Sequence, residues 1–363
     1  MNLMIFDKNR KIIGDAEVFE SLMWNELFYS CGNFSIYLSM TEKNINLFKK
    51  GNMVFIGDEN IGIIETVIYE LKENGQEHIE IGGRFSESFY RRRINWGRIK
   101  ESNIEYEKLM RRLVEESCVN PINKARKIQG INMGTLKNYT EKSDYQNSFG
   151  EVLKTLEEIA GTAKMGFFNR FDPVTRELFF EVRKGTNRTD SQNENKRAIF
   201  SRKLNRIAEM TFTESLTEFS NCALIGGSGE DDKRKLTEIG NEKEGLERFE
   251  MFVDAREISD KDKDEKPMPE ETYIGMLKQK GNEKLKENNE VLKLEGKYDL
   301  DGIMPEYIKS GDYVTVHDAK WGVKMDTQII GIKTIYQKGK KVAKEVTFGN
   351  DAMTKIEKII KRM

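Results

Sequence analysis

Histidine and cysteine are scarce in this chain of 363 residues: His78 and His317, and Cys31, Cys118 and Cys222. Three widely spaced thiols, an odd number, do not make a disulfide framework. Without a CxxC or HxxxH pattern, a structural zinc site has no sequence support. The thiols read as reduced and buried, as in a reducing compartment. A charge surplus is also missing. Sixty Lys and Arg balance 61 Asp and Glu to a net charge of −1. A protein that coats nucleic acid or anionic membrane needs excess positive charge, so both roles are disfavoured. No apolar run approaches the roughly 18 residues of a membrane-spanning helix. The first apolar run, Leu3 to Phe6, is too short for a signal peptide.

What remains is a highly charged, folded chain. One third of the residues are charged and 37% are hydrophobic, but 20 Phe, 12 Tyr and 16 Met supply a core, and only 5 Pro argue against disorder. At roughly 100–200 residues per domain, the length suits two to four domains.

Residues 1–100 read as β structure. Residues 53–56, 61–71 and 78–82 are rich in Val and Ile, and Phe34, Ile36 and Leu38 alternate with smaller or polar residues in a strand over 32–39. Asn74-Gly75 between two such runs is a hairpin signal. Two amphipathic helices follow. Over 102–118, Tyr106, Leu109, Met110, Leu113 and Val114 share one face, with Ser102 and Glu105 as a capping box. Over 148–163 the face is Phe149, Val152, Leu153, Leu156, Ile159 and Ala160, with Ser148 and Glu151 as the box. The stretch between them reads as a loop. Strands return at 167–171, 178–182 and 208–219, with a turn at Asp172-Pro173 and a polar loop over 184–196. Residues 228–271 are mostly charged around a strand at 249–253, and a helix weakened by Gly281 spans 270–289. Strands at 291–295, 313–316, 328–336 and 342–348 precede a basic amphipathic helix over 351–363. The first and last regions share a plan, each pairing a tight-turned hairpin with an Ile-rich strand (60–68 and 327–335).

The expected fold class is therefore α+β and β-rich, with two small β-barrel-like modules flanking a mixed α/β middle. The expected divisions are 1–100, an N-terminal β module; 101–227, helices and strands; 228–290, a charged insertion and helix; and 291–363, a C-terminal β module with a closing helix.

Catalytic motifs fail on inspection. Gly226-Gly227-Ser228-Gly229 follows a strand, but no Gly-Lys-Ser/Thr completes a phosphate loop, and Glu230, Asp231 and Asp232 would repel a phosphate. Glu230 also stands where a nucleophile elbow needs Gly. Asp260, Asp262, Asp264 and Glu271 have calcium-loop spacing, but Glu265 replaces the required Gly and three lysines interleave. Neither histidine has an evident nucleophile as partner. No cofactor or metal is expected. Arg91, Arg92, Arg93 and Arg98 lie among Phe85, Phe89, Tyr90 and Trp96. That mixture suits an ion-pair cluster, internal or between subunits, or a single-stranded nucleic-acid site.

The order of several short motifs carries a resemblance. An aromatic-rich segment from Trp24 to Tyr29 precedes Gly32-Asn33-Phe34. Gly62-Ile63-Ile64-Glu65, then Gly82-Gly83-Arg84 and Arg92-Arg93-Ile94, come next. Asn221-x-Ala223 leads to Gly226-Gly227-Ser228-Gly229, with one extra Gly. Gly245-Leu246-Glu247-Arg248-Phe249-Glu250, Val253-Asp254-Ala255-Arg256, Gly311-Asp312-Tyr313-Val314 and Val346-Thr347-Phe348-Gly349 complete the series. Over nearly its whole length the chain resembles siphophage-type tail hub proteins, distantly similar to the hubs of contractile tails and phage-tail-like bacteriocins. The resemblance implies a homotrimeric ring at the tip of a virion tail or tail-like particle, assembled in the bacterial cytoplasm. Its implied partners are a tail tube or distal tail protein, a spike or fibre protein and a tape-measure protein, with no membrane span and no sequence-specific nucleic acid.

On this reading Arg91, Arg92, Arg93, Arg248, Glu250 and Asp254 are candidate interface residues, together with the 228–248 segment and the final helix. Gly32, Phe34, Gly82, Arg84, Asn221, Gly226, Gly311, Asp312 and Gly349 are structural motif residues. The role implied is non-enzymatic. Because the sequence stops at Met363 with no lysin domain, any cell-wall cleavage is expected of another chain. The competing reading is a peptidoglycan hydrolase of the tail tip.

Overall fold

The structure is a computed structural model that describes residues 3–16, 19–201, 207–261, 266–288, 291–298 and 305–349. The expected closing helix over 351–363, and Asp262, Asp264 and Glu265 of the acidic loop, lie outside the described residues.

A 13-stranded sheet organises the molecule. Its order is Ile207–Ser215, Val291–Tyr298, Ala343–Gly349, Val323–Gln337, Ser21–Leu27, Asn33–Ser39, Glu77–Phe85, Ile61–Leu71, Met53–Phe55, Leu3–Phe6 and Ile12–Ala16. Tyr313–Asp318 pairs with Val323–Gln337, and Ile199–Ser201 pairs in parallel with Tyr313–Asp318. The first and last β regions thus meet edge to edge, with Ser21–Leu27 antiparallel to Val323–Gln337. Among the described residues no strand pairing closes this sheet into a barrel. The two longest strands of the sheet, Ile61–Leu71 and Val323–Gln337, are both irregular. Each long strand carries a register shift, Ile64 to Thr66 in one and Ile329 to Gly331 in the other. Such bulges bend a strand and increase its twist.

Local sequence explains these strands. Phe34, Ile36 and Leu38 are all buried, as period-2 alternation requires. The hairpin joining Ile61–Leu71 to Glu77–Phe85 turns at Asn74-Gly75, where Gly75 has φ +80°. Asn74 Oδ1 accepts from the Gln76 amide at 3.0 Å and fixes the turn.

Among the described residues four α-helices pack on the sheets: α1 (Glu42–Leu47), α2 (Tyr106–Val114), α3 (Val152–Ala163) and α4 (Glu270–Glu287). Apart from Phe149, the expected faces of α2 and α3 are buried, but neither capping box forms. Ser102 lies in the strand Arg98–Glu105 and Ser148 ends Lys142–Ser148, and these two strands pair with each other. Strand pairing has therefore taken both cap residues, and each helix starts where its apolar stripe begins. Phe149, expected on the α3 face, sits at φ +56° and is exposed. The stretch expected as a loop between the helices holds Ile131–Met133 as well as Lys142–Ser148. Polar residues hid Lys142–Ser148, and three residues are too few for Ile131–Met133 to show a period.

Three cores result. The largest runs under the N-terminal sheet strands, α2, α3 and the pair Gly166–Asp172 and Glu177–Arg183. A second lies under the C-terminal strands, and a third between α4 and the strands Cys222–Gly226 and Glu250–Asp254. Gly281 has a packing reason: a Cβ there would lie 2.8 Å from Ile225 and 3.0 Å from Ile239. The helix gives up propensity so that a strand can approach closely.

Candidate interaction surfaces

The motif residues build joints and two surfaces. In the N-terminal sheet the Phe34 ring lies over Gly62 and Gly83, where a Cβ would come within 2.4 and 2.7 Å of it. At Gly32 a Cβ would meet the Phe85 ring at 2.5 Å, whereas Gly82 has only ordinary contact with Thr66. Arg84 holds Glu65 through two bonds of 2.8 Å, and this bidentate pair keeps the Glu65 carboxyl below its ordinary range.

Gly311 and Asp312 join the polar loop after Glu177–Arg183 to the C-terminal strands. Asp312 is 3% exposed. Its Oδ1 accepts from the Thr186 amide at 2.8 Å, and its Oδ2 from Arg188 Nε at 2.7 Å and the Lys309 amide at 3.1 Å. Gly311 has φ +96°, and a Cβ would lie 2.1 Å from the Phe28 ring. Its carbonyl accepts from Gln328 Nε2 at 2.7 Å, and the Gln328 side chain also bonds the Tyr29 hydroxyl. Gly349 ends the strand that pairs with Val291–Tyr298, at φ +132°.

The glycine loop at 226–229 serves packing. The Ser228 amide donates to Tyr273 Oη at 2.6 Å, and the Gly227 amide to the Lys235 carbonyl at 2.8 Å. A Cβ on Gly227 would lie 2.3 Å from the same tyrosine oxygen. Two amides that a phosphate would need are therefore already used. Tyr273→Phe is expected to cost about 1–2 kcal/mol, because it leaves the Ser228 amide without its acceptor. The denaturant midpoint, compared at equal m-value, would read this loss, and an unchanged midpoint would show the bond to be dispensable.

Cys222–Gly226 pairs antiparallel with Leu236–Ile239 and parallel with Glu250–Asp254. One face of this sheet packs on α4, and the other exposes Leu224, Leu236 and Phe252. The candidates Arg248, Glu250 and Asp254 come together here. Arg248 bonds Glu238 and Glu250, while Asp254 accepts from Arg234 and Arg256, each at 2.6 Å. Hydrogen bonding by Arg256 lowers the Asp254 carboxyl to about 2. Asn221 secures the loop before the last strand, donating to the Glu247 carbonyl at 2.7 Å and accepting from the Phe249 amide at 2.9 Å.

Arg91, Arg92 and Arg93 form a second surface. Residues 86–92 make a 3₁₀ turn that buries Phe89 and Tyr90 and leaves Arg91 and Arg92 outside. Arg92 lies over the Phe89 ring at 4.8 Å, and Arg93 Nε donates to the Arg126 carbonyl at 2.6 Å. Arg126 covers the Trp96 ring at 4.2 Å. Among the described residues no carboxylate forms an ion pair with Arg91, Arg92 or Arg93, so the internal alternative finds no partners. Among the described residues no hydrogen bond or ion pair joins this set to Arg248, Glu250 or Asp254.

Hydrolase geometry does not assemble around the histidines. His78 stacks on Tyr37 and its Nε2 lies 3.1 Å from Glu20 Oε1. Ser39 Oγ donates to the same carboxylate oxygen at 3.2 Å. Glu20 therefore stands between hydroxyl and imidazole, where a triad needs the imidazole between the other two. His317 is exposed on Tyr313–Asp318. Among the described residues no group of three or more His, Cys, Asp or Glu is placed to hold a metal ion. No described helix is long and apolar enough to cross a membrane.

Sequence reasoning missed a buried acidic group. Glu87 is 2% exposed, and its Oε1 accepts from the Asn169 amide at 2.6 Å. Burial pushes its carboxyl up to about 7, and that of Asp58 likewise, although Trp24 Nε1 donates to Asp58 at 2.9 Å. Glu26, Glu87, Asn60 and Arg183 line one small cleft. The only available signal was an acid inside the aromatic run around Phe85 and Phe89.

Residues 2–350 match the family described as "Siphovirus ReqiPepy6 Gp37-like protein". No curated protein matches the sequence. Solved structures share the fold at low identity. The 43 kDa tail protein of prophage MuSo2 from Shewanella oneidensis has a TM-score of 0.62 at 11% identity, over 97% of this chain and 100% of that one. The tail protein from Neisseria meningitidis MC58 gives 0.58 at 13%, over 97% of each chain. The prophage tail protein gp18 from Listeria monocytogenes EGD-e gives 0.56 at 13%, over 99% and 100%.

Proposed function

Because the chain belongs to the siphovirus ReqiPepy6 Gp37-like family, we propose that it is a structural hub at the tip of a phage tail or tail-like particle. In this reading it forms a homotrimeric ring around the central channel, between the tail tube or distal tail protein and the spike or fibre, with the tape-measure protein inside. Two related β modules per chain would present six similar units, so that a three-fold ring could meet a six-fold tube.

The observation that carries the reading is that both long strands of the sheet are bulged, one in each half. The tail-protein fold of the solved relatives supports it. We retain the divisions at residues 100, 227 and 290, with the two β modules barrel-like in the assembled ring. An open sheet with long edges is a liability unless another chain covers it, and closed symmetry supplies that cover.

Negative-stain class averages of the purified chain provide the test. Three-fold rings with a central hole are the expected result. Compact single particles that also clear peptidoglycan in a zymogram, through one identifiable carboxylate, would transfer the assignment to a hydrolase.

A further inference from the structure

We propose that the basic surface around Arg91 and Arg92 receives the acidic loop 241–247 of a neighbouring copy, a head-to-tail contact that repeats around the ring. The inference rests on the ring reading above and names the surfaces that would make it.

The chain is nearly neutral, yet its charge is strongly sorted. Segments 91–98 and 120–127 carry seven Arg or Lys and no Asp or Glu. They are one surface. Arg93 bonds the Arg126 carbonyl, Arg126 stacks on Trp96, and Arg126 also bonds the Ile94 carbonyl. The 149–151 segment completes it, since the Asn95 amide donates to the Gly150 carbonyl at 2.8 Å. Apolar groups stand among these cations, with Trp96 58% exposed, Phe149 69% exposed and Ile122 fully exposed. Glu65 is close enough to feel Arg91 and Arg92, but it is committed to Arg84. Glu151, bridged to Ile94 and half-buried, is the one carboxylate that the 149–151 segment adds to the surface.

Residues 236–254 have the opposite balance, six acids against two bases. Arg248 satisfies Glu238 and Glu250. Glu242, Glu244 and Glu247 are exposed and make no ion pair among the described residues. They surround Leu246, which is 99% exposed. An acidic loop tipped by a bare leucine complements a basic surface bearing an uncovered tryptophan in both charge and apolarity. The two lie on different elements: the acidic loop joins Leu236–Ile239 to Glu250–Asp254, the strands that flank Cys222–Gly226. A contact between two unlike patches is heterologous, and repeated around a closing rotation such a contact builds a ring.

Charge reversal on the full chain tests this, with mass read by sedimentation velocity. Arg91→Glu/Arg92→Glu alone, and Glu244→Arg/Glu247→Arg alone, are each expected to raise the concentration for self-association at least tenfold. Combining all four substitutions in one chain makes the surfaces complementary again, and recovery of most of the association is expected. All positions are exposed, so circular dichroism should match the parent. Wild-type trimers indifferent to both reversals would overturn this contact and leave the ring reading standing, as would reversals that weaken association with no recovery in the combined variant. A wild-type chain that stays monomeric at tens of micromolar would overturn both. Salt-dependent retention of single-stranded DNA, lost in Arg91→Glu/Arg92→Glu while the oligomer persists, would assign the basic surface to nucleic acid and overturn the contact.

Discussion

Asp312→Ala is expected to destabilise the chain by about 3–5 kcal/mol, the range for breaking a buried ion pair by removing one partner. Three donors lose their acceptor at once: the Thr186 amide, Arg188 Nε and the Lys309 amide. The Arg188 side chain is only 14% exposed, so water does not readily replace the carboxylate. Asp312→Asn should fall between parent and Asp312→Ala. Its oxygen can serve one side of the site, but its NH₂ then faces a donor on the other. Gly311→Ala should damage the same joint by another route, through a Cβ inside the Phe28 ring and a positive φ that only glycine adopts cheaply. Denaturant unfolding of the three variants provides the measurement. An Asp312→Ala variant within about 1 kcal/mol of the parent would mean that the bonds at this joint are individually replaceable.

That joint also shows what a single sequence reveals. Gly311 and Asp312 were legible as a motif, but not their partners, because Thr186 and Arg188 lie in a polar loop more than a hundred residues earlier. Strands with strong alternation, such as the one through Phe34, Ile36 and Leu38, and the Asn74-Gly75 hairpin were legible because their signals are local. Lys142–Ser148 was not. Its pattern is polar, and it is a strand because Arg98–Glu105 lies beside it. The same pairing explains the false capping boxes at Ser102 and Ser148, where a correct local rule lost to a tertiary partner. Of the candidate surface, the Arg91–Arg93 cluster and the charged 228–248 segment were visible as composition. Which carboxylates remain unpaired is a three-dimensional fact, decided by Arg248 and Arg84 choosing their own partners.

Stability is expected to fall as pH rises from about 4.5 to above 7, the reverse of the usual acid denaturation. Glu87 starts from an ordinary value of 4.5 and is pushed up to about 7 by burial. Between those values the folded chain keeps a proton that the unfolded chain has released. The contribution is therefore complete below pH 4.5 and is lost as pH rises through 7. A shift of that size corresponds to about 3 kcal/mol by pH 8, at 1.36 kcal/mol per unit. Asp58 moves in the same direction, but it is only half-buried, and solvent screening reduces its share. Burial raises Glu26 and Glu157 as well, so the slope is a sum. At the acid end Asp254 and Glu65, both held down by arginine bonds, lose their contribution as pH falls below 4. Maximum stability should therefore lie near pH 5. Glu87→Gln isolates one share: it keeps the shape and the acceptor for the Asn169 amide without an ionisable proton. Thermal or denaturant unfolding should place this variant level with the parent at pH 5 and about 2–3 kcal/mol above it at pH 8. Parallel profiles for the two chains would show that Glu87 is ionised in the fold. Arg183, whose charge favours the carboxylate and whose Nε makes no hydrogen bond among the described residues, would then be the counter-ion to test next.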